Sequence, residues 1–387
     1  MSAQRRADLT RYFLRLGALG FGGPVALVAR MRQDLVDGRG WIAEEDFRDG
    51  LALAQVAPGP LAAQLAMYLG WLVDGVLGAT VVGVAFVLPS LLIVLVLAAG
   101  YARAGGLPII GALFYGVGAA VIAVLARAGY RLARSTIATD RVLWFITGVN
   151  AVATVALRRE SVLLVLLSGL FLLAARAAMR GKDESASPGT TRPLTIGAVS
   201  MLSPLAGIAV SASSLPALFV FFAVSGLVVF GSGLAIVPFL HGGVVVERHW
   251  LTEQQFLDAV AVSLLTPGPV VITVAFIGFL VAGMAGGIVA AMGVFLPAYL
   301  VVLLLAPRFG AIRADGRART FASGVTAAAV GALLGAVVVM GTRTLVDLPT
   351  AAIAVAALVW LLARPRVPEP LVLAAAAVVG FIVQRWS

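Results

Sequence analysis

The sequence predicts an all-α polytopic membrane protein built from two inverted-topology repeats with broken helices. Three observations lead to this prediction: an extreme apolar composition, an internal duplication, and a Pro-Gly-Pro break inside an apolar run of each copy. Of the 387 residues, 61% are hydrophobic and 12% are charged, and the mean hydropathy is +1.04. A soluble domain is about 45–50% apolar and about 25% charged. One water-facing core cannot bury this excess.

The duplication is visible without a gap between residues 21–60 and 230–269, where 14 of 40 positions are identical. Pro58 recurs as Pro267, 209 positions further on, and the Trp and acidic residues of the frame recur at the same distance. Unrelated apolar stretches share Ala, Val and Leu by composition, but they do not share Trp, Pro and acids in register. The chain therefore contains two copies of one structural unit.

The composition also excludes several kinds of metal site and indicates which partners to expect. The chain has no cysteine, which excludes disulfides, iron–sulfur clusters and thiolate metal sites. His241 and His249 are too few for a His-rich metal site, so neither a metal nor another cofactor is expected. The net charge of +10 could indicate nucleic-acid binding. Because the Arg residues collect in short loops between apolar runs, the cytoplasmic-positive bias explains it better. We expect membrane lipid and no nucleic acid as a partner.

Apolar segments of spanning length divide the chain into an N-terminal repeat at 1–179, a polar linker at 180–193 and a C-terminal repeat at 194–387. The basic start of the chain resembles a signal peptide, but its Phe-Gly motif recurs internally, so we predict a retained first helix. The predicted segments of the first repeat are 10–31, the Pro-Gly-Pro run 51–73, 75–101, 109–130, 141–157 and 161–179. Those of the second are 194–213, 215–240, the Pro-Gly-Pro run 260–281, 284–306, 318–341, 349–364 and 370–385.

Loop charges predict that the two repeats have opposite orientations. In the first repeat a loop with only Arg103 precedes a loop with four Arg residues, and in the second repeat this order is reversed. If basic loops stay in the cytoplasm, the repeats are inverted, which is typical of secondary transporters. Counting each Pro-Gly-Pro run as one broken crossing gives about 13 crossings, with the N-terminus inside and the C-terminus outside. Segment 194–213 supplies the odd crossing, unless it lies in the membrane interface.

A Pro-Gly-Pro sequence removes two backbone donors and stops a helix. At membrane depth, freed backbone groups are tolerated only where they are buried in protein or line a cavity. The helix that follows presents unpaired N–H groups and a positive partial charge, which suit an anion. Two such breaks at corresponding positions of inverted halves indicate a transport site near the midplane. The alternative for either break alone is a plain kink or turn.

Polar residues beside the breaks can hydrogen-bond a substrate without the penalty of a charge in lipid, or they can simply join helices. The repeated Gly clusters can allow close helix packing or form a second helix break. The predicted substrate path comprises Gly22, Gly23, Pro24, Gln55, Pro58, Gly59, Pro60, Gln64, Gly231, Gly233, Thr266, Pro267, Gly268, Pro269 and Thr273.

Four repeated acids are candidates for proton coupling: Glu44 with Glu253, and Asp49 with Asp258. Acids in the first turn of a helix also complement its dipole, and the sequence after Thr252 is typical of a capping box. Asp49 and Asp258 lie a turn deeper and are the better candidates.

These motifs resemble the chromate ion transporter family over nearly the whole chain except 180–215, and fit its long, two-domain members. The resemblance implies efflux of chromate across the bacterial cytoplasmic (inner) membrane, giving chromate resistance, with sulfate as a related oxyanion. Many members have polar residues after the first Pro-Gly-Pro, where this chain has Leu61-Ala62-Ala63, so backbone N–H groups and Gln64 remain as contacts. The motifs are Phe21-Gly22-Gly23-Pro24, Gly50 to Gly70 around Pro58-Gly59-Pro60, Leu88-Pro89-Ser90, Phe230-Gly231-Ser232-Gly233, Thr266 to Thr273, Phe276-Ile277-Gly278 and Leu296-Pro297.

Other functions stay open at this point. A transporter of the same fold could import sulfate or another oxyanion. A membrane enzyme would need a reactive constellation, which two histidines and no cysteine make a poor fit. A purely structural or lipid-contacting protein would not need duplicated helix breaks at membrane depth. The sequence leaves the oligomeric state open, and a homodimer is one of the alternatives.

Overall fold

A computed structural model describes residues 3–104, 108–158, 160–183, 215–228, 233–308, 316–364 and 367–386. Within these ranges the chain is helical and has no strand. The predicted 194–213 segment, residues 184–193 of the 180–193 linker and Gly231 lie outside the described residues.

Among the described residues, seven helices of the first half correspond in order to seven helices of the second half. The first set is α1 (Ala3–Leu19), α2 (Gly23–Arg32, continued by the π-helical turn Gln33–Gly38), α3 (Glu44–Val56), α4 (Leu61–Ala104), α5 (Pro108–Thr136), α6 (Arg141–Leu157) and α7 (Val162–Asp183). The second set is α8 (Leu215–Val228), α9 (Ile236–His241, between the turns Gly233–Ala235 and Gly242–Glu247), α10 (Glu253–Leu265), α11 (Thr273–Leu305, between the turns Val270–Ile272 and Ala306–Arg308), α12 (Gly316–Thr344), α13 (Leu348–Ala363) and α14 (Glu369–Trp386).

Five stretches of the described chain are long and apolar enough to cross a membrane: Leu61–Ala104, Ile109–Thr136, Val162–Met179, Val270–Arg308 and Gly316–Thr344. Their outer faces are apolar as well. One example is a stripe at four-residue spacing on α4, where Val84, Leu88, Leu92 and Val96 are all exposed. A lipid solvent explains such a surface, whereas water does not. The protein is therefore an integral membrane protein.

The predicted first helix over 10–31 is in fact two helices that form a hairpin. Helix α1 ends at Leu19, Gly22 and Gly23 have positive φ angles of 111° and 73°, and α2 begins there. The two helices run antiparallel, because a Cβ at Gly20 would lie 2.7 Å from Leu27, and Tyr12 at the far end lies 3.5 Å from the Arg30 carbonyl. The apolar run looked continuous because both helices are buried on one side.

The prediction of one broken crossing through each Pro-Gly-Pro run is also wrong, because each run folds back on itself. In a collinear pair of helices, Gly50 and Tyr68 would be about 27 Å apart at 1.5 Å per residue. Instead, Gly50 packs directly against the Tyr68 ring and against Leu65. In the second half, Thr273 Oγ1 donates to Ser263 Oγ at 2.6 Å across the same kind of hairpin.

Helix α4 reverses direction once more, at Asp74 and Gly75, whose backbone angles are not helical. Gly70 of its short arm (61–73) then packs on Gly78 of its long arm (76–104). Helix α11 does the same at Ala282 and Gly283, which separate a short arm (273–281) from a long arm (284–305). Only Gly permits this approach, because a Cβ at these contacts would overlap the opposing carbonyl oxygen.

The long arms of α4 and α11 pack against each other and run antiparallel. The Thr80 and Tyr299 hydroxyls are 2.6 Å apart at one end, and Leu95 contacts Gly287 further along. Helices α5 and α12, another equivalent pair, are antiparallel too, because Gly129 contacts Leu334 while Ile122 lies 3.7 Å from a Cβ at Gly341.

The outer helices are exchanged between the halves. Helix α6 packs along α12, where Gly331 lies on Thr147 and Gly335 on Thr154. Helix α14 packs along α5, where Gly116 lies on Gly380. Each half therefore completes the packing of the other, and both hydrophobic clusters of the described chain contain residues of both halves.

Candidate functional site

The two halves meet at the tips of their hairpins. The N–H group of Gly268 in the second Pro-Gly-Pro tip donates to the Gly20 carbonyl in the α1–α2 tip, at 2.7 Å. Ser90 on the long arm of α4 donates to the Gly17 carbonyl at 3.0 Å and lies directly against Gly268. A Cβ at Gly268 would overlap the Ser90 hydroxyl. Three segments distant in sequence are thus fixed together.

The first Pro-Gly-Pro tip makes the reciprocal contact. A Cβ at Gly59 would lie 2.9 Å from the Cβ of Ala298, on the long arm of α11. Ala298 is the counterpart of Ser90, because both follow the Leu-Pro pair of their long arm. Each Pro-Gly-Pro tip therefore packs against the long arm of the opposite half at an equivalent position.

The first glycine cluster forms another tip, and one residue of the second cluster, Gly233, lies beside it. Gly22, Gly23 and Pro24 form the turn between α1 and α2, so the helix-break interpretation applies in the first half. A Cβ at Gly233 would lie 3.5 Å from Pro24 and 3.0 Å from Val271, just after the second Pro-Gly-Pro. These predicted residues are therefore brought together, whereas Gly231 is outside the described chain.

Gln64 is the most buried polar side chain at the first tip, with 0% of its surface exposed. Its Nε2 donates to the Pro58 carbonyl at 2.7 Å and holds the tip closed. Its Oε1 is buried and has no hydrogen-bond partner within the described chain. Burying such an atom unpaired costs about 1–3 kcal/mol, so Gln64 retains unused hydrogen-bonding capacity. Gln55, also predicted for the path, is exposed.

The second tip satisfies its polar groups internally. Thr273 donates to Ser263 and lies 2.7 Å from the Val270 carbonyl, and Thr266 donates to the Ser263 carbonyl at 3.1 Å. All three side chains are buried. Ser263 was not among the predicted residues. Its counterpart in the first copy is Ala54, so the duplication did not mark it as a polar site.

Both Pro-Gly-Pro tips are followed by the start of a helix. After Pro60 the short arm of α4 begins at Leu61, and its first-turn N–H groups have no acceptor within the helix. These groups and the helix dipole give the tip a positive partial charge inside apolar surroundings. The arrangement can stabilise an anion through backbone groups, without a charged side chain.

Glu44 and Glu253 lie at the first turns of α3 and α10 and form ion pairs there. Glu44 pairs with Arg32 and Arg48, and Glu253 contacts His241 at 2.8 Å and Arg343 at 3.0 Å. Burial acts to raise the pKa of Glu253, but its hydrogen bonds and charge interactions with His241 and Arg343 outweigh burial and lower the pKa. The predicted capping box is also present.

That capping box joins Thr252 and Gln255: Thr252 Oγ1 accepts from the Gln255 N–H at 3.2 Å, and Gln255 Oε1 accepts from the Thr252 N–H at 2.9 Å.

Asp258, one turn further along α10, has only 2% of its surface exposed. It accepts from the Tyr101 hydroxyl at 2.6 Å and from Gln254 Nε2 at 2.8 Å. Asp49, its counterpart, is half-buried. Tyr101 links the long arm of α4 to the acid of the other half.

Glu160, between α6 and α7, was not predicted as a functional residue. It lines a cavity of about 190 Å³ together with Gly242, Glu247 and Arg248, and its Oε2 is buried without a partner in the described chain. Burial, reinforced by the charge of Glu247, raises the pKa of Glu160 to about 8. The duplication could have marked Glu160 as a repeated acid, because Glu369 lies 209 positions further on, at the start of α14.

Among the described residues, no group of three or more His, Asp or Glu side chains is arranged to hold a metal ion. The polar groups at the tips are amides, hydroxyls and backbone N–H groups. They can bind, orient and release an anion.

Comparisons with known proteins identify the family of this chain. Residues 7–173 and 216–381 match the sequence profile of the chromate transporter family. The chain is 50% identical to the chromate transport protein of Cupriavidus metallidurans over 97% of this chain and 92% of that protein. It is 49% identical to a probable chromate transport protein of Synechococcus elongatus, over 98% and 95% of the two chains. A chromate transport protein of Pseudomonas aeruginosa is 34% identical over 84% of this chain and 78% of its own length. No solved structure matches. The chain belongs to the chromate transporter family.

Proposed function

We propose that the protein exports chromate across the cytoplasmic membrane of a bacterium and thereby gives chromate resistance. The observation that carries this proposal is the pair of buried Pro-Gly-Pro tips, each packed against the long arm of the opposite half. The names of the relatives support chromate as the substrate. Sulfate or another oxyanion is the second candidate, because the tip offers backbone donors that fit any tetrahedral oxyanion.

The proposed topology is an inverted repeat. Its support is that equivalent helices of membrane length, the long arms of α4 and α11 and the pair α5 and α12, run antiparallel. Because such helices lie near the membrane normal, the axis relating the halves lies near the membrane plane. We therefore replace the 13 crossings expected from the sequence. The new arrangement has four re-entrant hairpins and eight full crossings within the described chain: the two long arms, α5, α6, α7, α12, α13 and α14. Four of these crossings fall in each half, so the inversion also needs an odd crossing between the halves. That crossing remains proposed for segment 194–213, outside the described residues.

The proposed mechanism is alternating access around the tips. A rocking motion of one half against the other would change the contacts of Gly59 with Ala298 and of Gly268 with Ser90. These contacts involve small residues without bulky interlocking side chains, so the two halves could separate there during the cycle. An anion at the first tip would meet first-turn N–H groups and Gln64, whose Oε1 can also accept from a bound water or a protonated oxyanion.

The membrane potential supplies a sufficient driving force. Chromate is a dianion at neutral pH, and moving two charges outward is favoured by about 4.6 kcal/mol per 100 mV when the interior is negative. Exchange for protons would add to this force, with the buried Asp258 as the first candidate carrier and Asp49, Glu44 and Glu253 as the others.

The direct test is labelled chromate uptake into everted membrane vesicles, with and without excess sulfate. Outward transport in cells becomes inward in these vesicles, so we expect accumulation above empty vesicles that collapses when the potential is dissipated. Strong competition by sulfate would favour a general oxyanion transporter. An inserted protein that gives no accumulation would remove chromate as the substrate.

The site is tested by Pro58→Ala and Pro267→Ala, each of which lets the helix extend into the tip. We expect each variant to insert normally but to lose at least about tenfold in transport rate, since misplacing a binding site by about 1 Å can cost far more. Pro349→Ala, at the start of α13, is the matched control and should transport normally. Full activity of both tip variants would overturn the site assignment.

A further inference from the structure

The cavity around Glu160 lies between the two halves, and the proposed mechanism does not use it. Its volume is about 190 Å³. Glu160 and Val162 reach it from the first half, where α6 connects to α7. Its other walls come from α8, α9 and the turn after α9, all in the second half, and include the rings of Phe221 and Phe239. One acid of the first half is therefore held against three elements of the second half.

The Glu160 carboxyl is seated directly against the backbone of the turn after α9. A Cβ at Gly242 would overlap Glu160 Oε2, so this approach requires a glycine. Glu160 Oε2 is buried and has no hydrogen-bond partner in the described chain. Ser225, which also lines the cavity, donates instead to the Phe221 carbonyl at 2.9 Å. The carboxyl is thus buried without gaining a donor for this oxygen.

The charged side chains near Glu160 are engaged with each other. Arg248 and Glu247 line the same cavity, and Arg248 Nη1 lies 3.6 Å from the Glu247 carboxylate. His241, at the end of α9, pairs with Glu253 at 2.8 Å. Within the part of the chain that the structure describes, no basic side chain forms a salt bridge with Glu160.

A buried carboxyl without a cation beside it favours its neutral form, because burial penalises the charge and no partner offsets the penalty. Burial, with the charge of Glu247 adding to it, raises the pKa of Glu160 to about 8. Glu369, the counterpart in the second half, differs because Arg127 lies 3.7 Å from it. The cavity therefore suits a protonated acid, and the duplication did not copy this property.

We propose that Glu160 is a proton-binding site that couples proton exchange to chromate transport. The carboxyl holds a proton while α9 and the turn after it cover the carboxyl, as in this structure. A motion that draws α9 away from the α6–α7 connection admits water, and the carboxyl then releases its proton to the water. Because the two arrangements differ in proton affinity, a proton gradient biases one against the other. The inference rests on the proposed oxyanion transport and adds Glu160 to its candidate proton carriers.

The proton itself is tested without transport, by infrared spectroscopy of the full-length protein in detergent from pH 5 to pH 9. We expect the wild type to show a protonated-carboxyl absorption at pH 7 that titrates at about pH 8. Glu160→Gln should lack this absorption, whereas Glu45→Gln, the matched control at an exposed acid, should keep it. Gly242→Ala retains the acid but pushes it out of the cavity, so its titration should move to lower pH.

The coupling is tested by chromate uptake into everted vesicles with the membrane potential clamped at zero. The vesicle lumen corresponds to the outside of the cell, so an acidic lumen should drive uptake. A gradient of one pH unit should raise the accumulated chromate about tenfold for each proton exchanged, because one pH unit changes an equilibrium tenfold. This stimulation should be lost in Glu160→Gln, reduced in Gly242→Ala and unchanged in Glu45→Gln.

The same absorption at pH 7 in the wild type and in Glu160→Gln, or none in the wild type, would overturn the proton site. Equal stimulation of uptake in the wild type and Glu160→Gln would overturn the coupling role, and so would a wild type that accumulates chromate without responding to the gradient. A wild type that takes up no chromate would remove the proposed function and the coupling with it. The infrared titration would still decide whether Glu160 holds a proton.

Discussion

Asp49 and Asp258 occupy equivalent positions in α3 and α10, but their surroundings differ. Asp258 is buried and accepts hydrogen bonds from Tyr101 and Gln254, whereas Asp49 is half-buried. The two Pro-Gly-Pro tips also differ in how their buried polar groups are paired. Thr273 and Ser263 satisfy each other in the second half, while Gln64 in the first half keeps a buried oxygen without a partner in the described chain.

The comparison shows which property the duplication preserved. Backbone features recur closely: Gly59 and Gly268 have φ angles of 137° and 96°, and Gly75 and Gly283 have φ angles of 55° and 62°. The polar interior does not recur. Hairpin geometry depends on glycine and proline, which both copies kept, whereas a transport cycle needs no symmetry in its ligands. The first hairpin therefore keeps a buried oxygen without a partner in the described chain, and the second hairpin has the buried acid.

The largest effect should come from Gly268→Ala. An alanine at this position would be held in a left-handed backbone conformation, and its Cβ would overlap the Ser90 hydroxyl. We therefore expect a loss of several kcal/mol in the free energy of unfolding and a loss of transport. Thermal unfolding in detergent and vesicle uptake measure the two effects.

Gly283→Ala is the control for backbone strain alone, because its φ is 62° but nothing lies within 4 Å of the new Cβ. It should cost about 1–2 kcal/mol. If both variants lose the same stability, the contact between the tip and the opposite half contributes nothing.

The second prediction concerns the acids. Asp258→Asn places an amide beside the Gln254 amide donor and leaves one buried group unpaired, which costs about 1–3 kcal/mol, or roughly a factor of 5–150 in rate if the loss falls on the transport step. Asp49→Asn should reduce chromate uptake less than Asp258→Asn, since Asp49 is half-buried whereas Asp258 is buried. An equal loss of uptake in both variants would contradict the asymmetry. Uptake is measured across a pH series, where Asp258→Asn should flatten any pH dependence that proton exchange causes.

The last prediction concerns Glu160, where the stability of the protein should depend on pH. Its pKa is raised from 4.5 to about 8, so the folded protein binds the extra proton between these values and the unfolded chain does not. Stability should therefore fall as pH rises through this window, by roughly 3 kcal/mol between pH 4.5 and 7.

Glu160→Gln should remove that slope and make the protein more stable than wild type at pH 8, as measured by thermal unfolding between pH 5 and 8. Glu369, the counterpart beside Arg127, is the comparison site. Parallel pH curves for wild type and Glu160→Gln would show that Glu160 does not hold a proton in the folded protein.

Several features of the fold were accessible from sequence because they depend on local chemistry. The boundary predicted between segments 51–73 and 75–101 coincides with the reversal at Asp74 and Gly75. The capping box at Thr252 follows from residue spacing alone. Gln55 and Gln64 show a difference that the local sequence does not predict. Both flank the first Pro-Gly-Pro, but only the packing of the short arm decides that Gln64 is buried and Gln55 exposed.

The sequence by itself determined the membrane environment, the duplication, the helix breaks and the family, because these depend on composition, register and residues that stop helices. Only the tertiary structure decided that each break is the tip of a hairpin, since a Pro-Gly-Pro is equally compatible with a collinear kink. It also decided that Tyr101 reaches Asp258 and that Gly268 bonds to Gly20. These contacts join residues more than 150 positions apart, and no local pattern encodes them. They form because apolar helices in lipid must bury their freed backbone groups against one another.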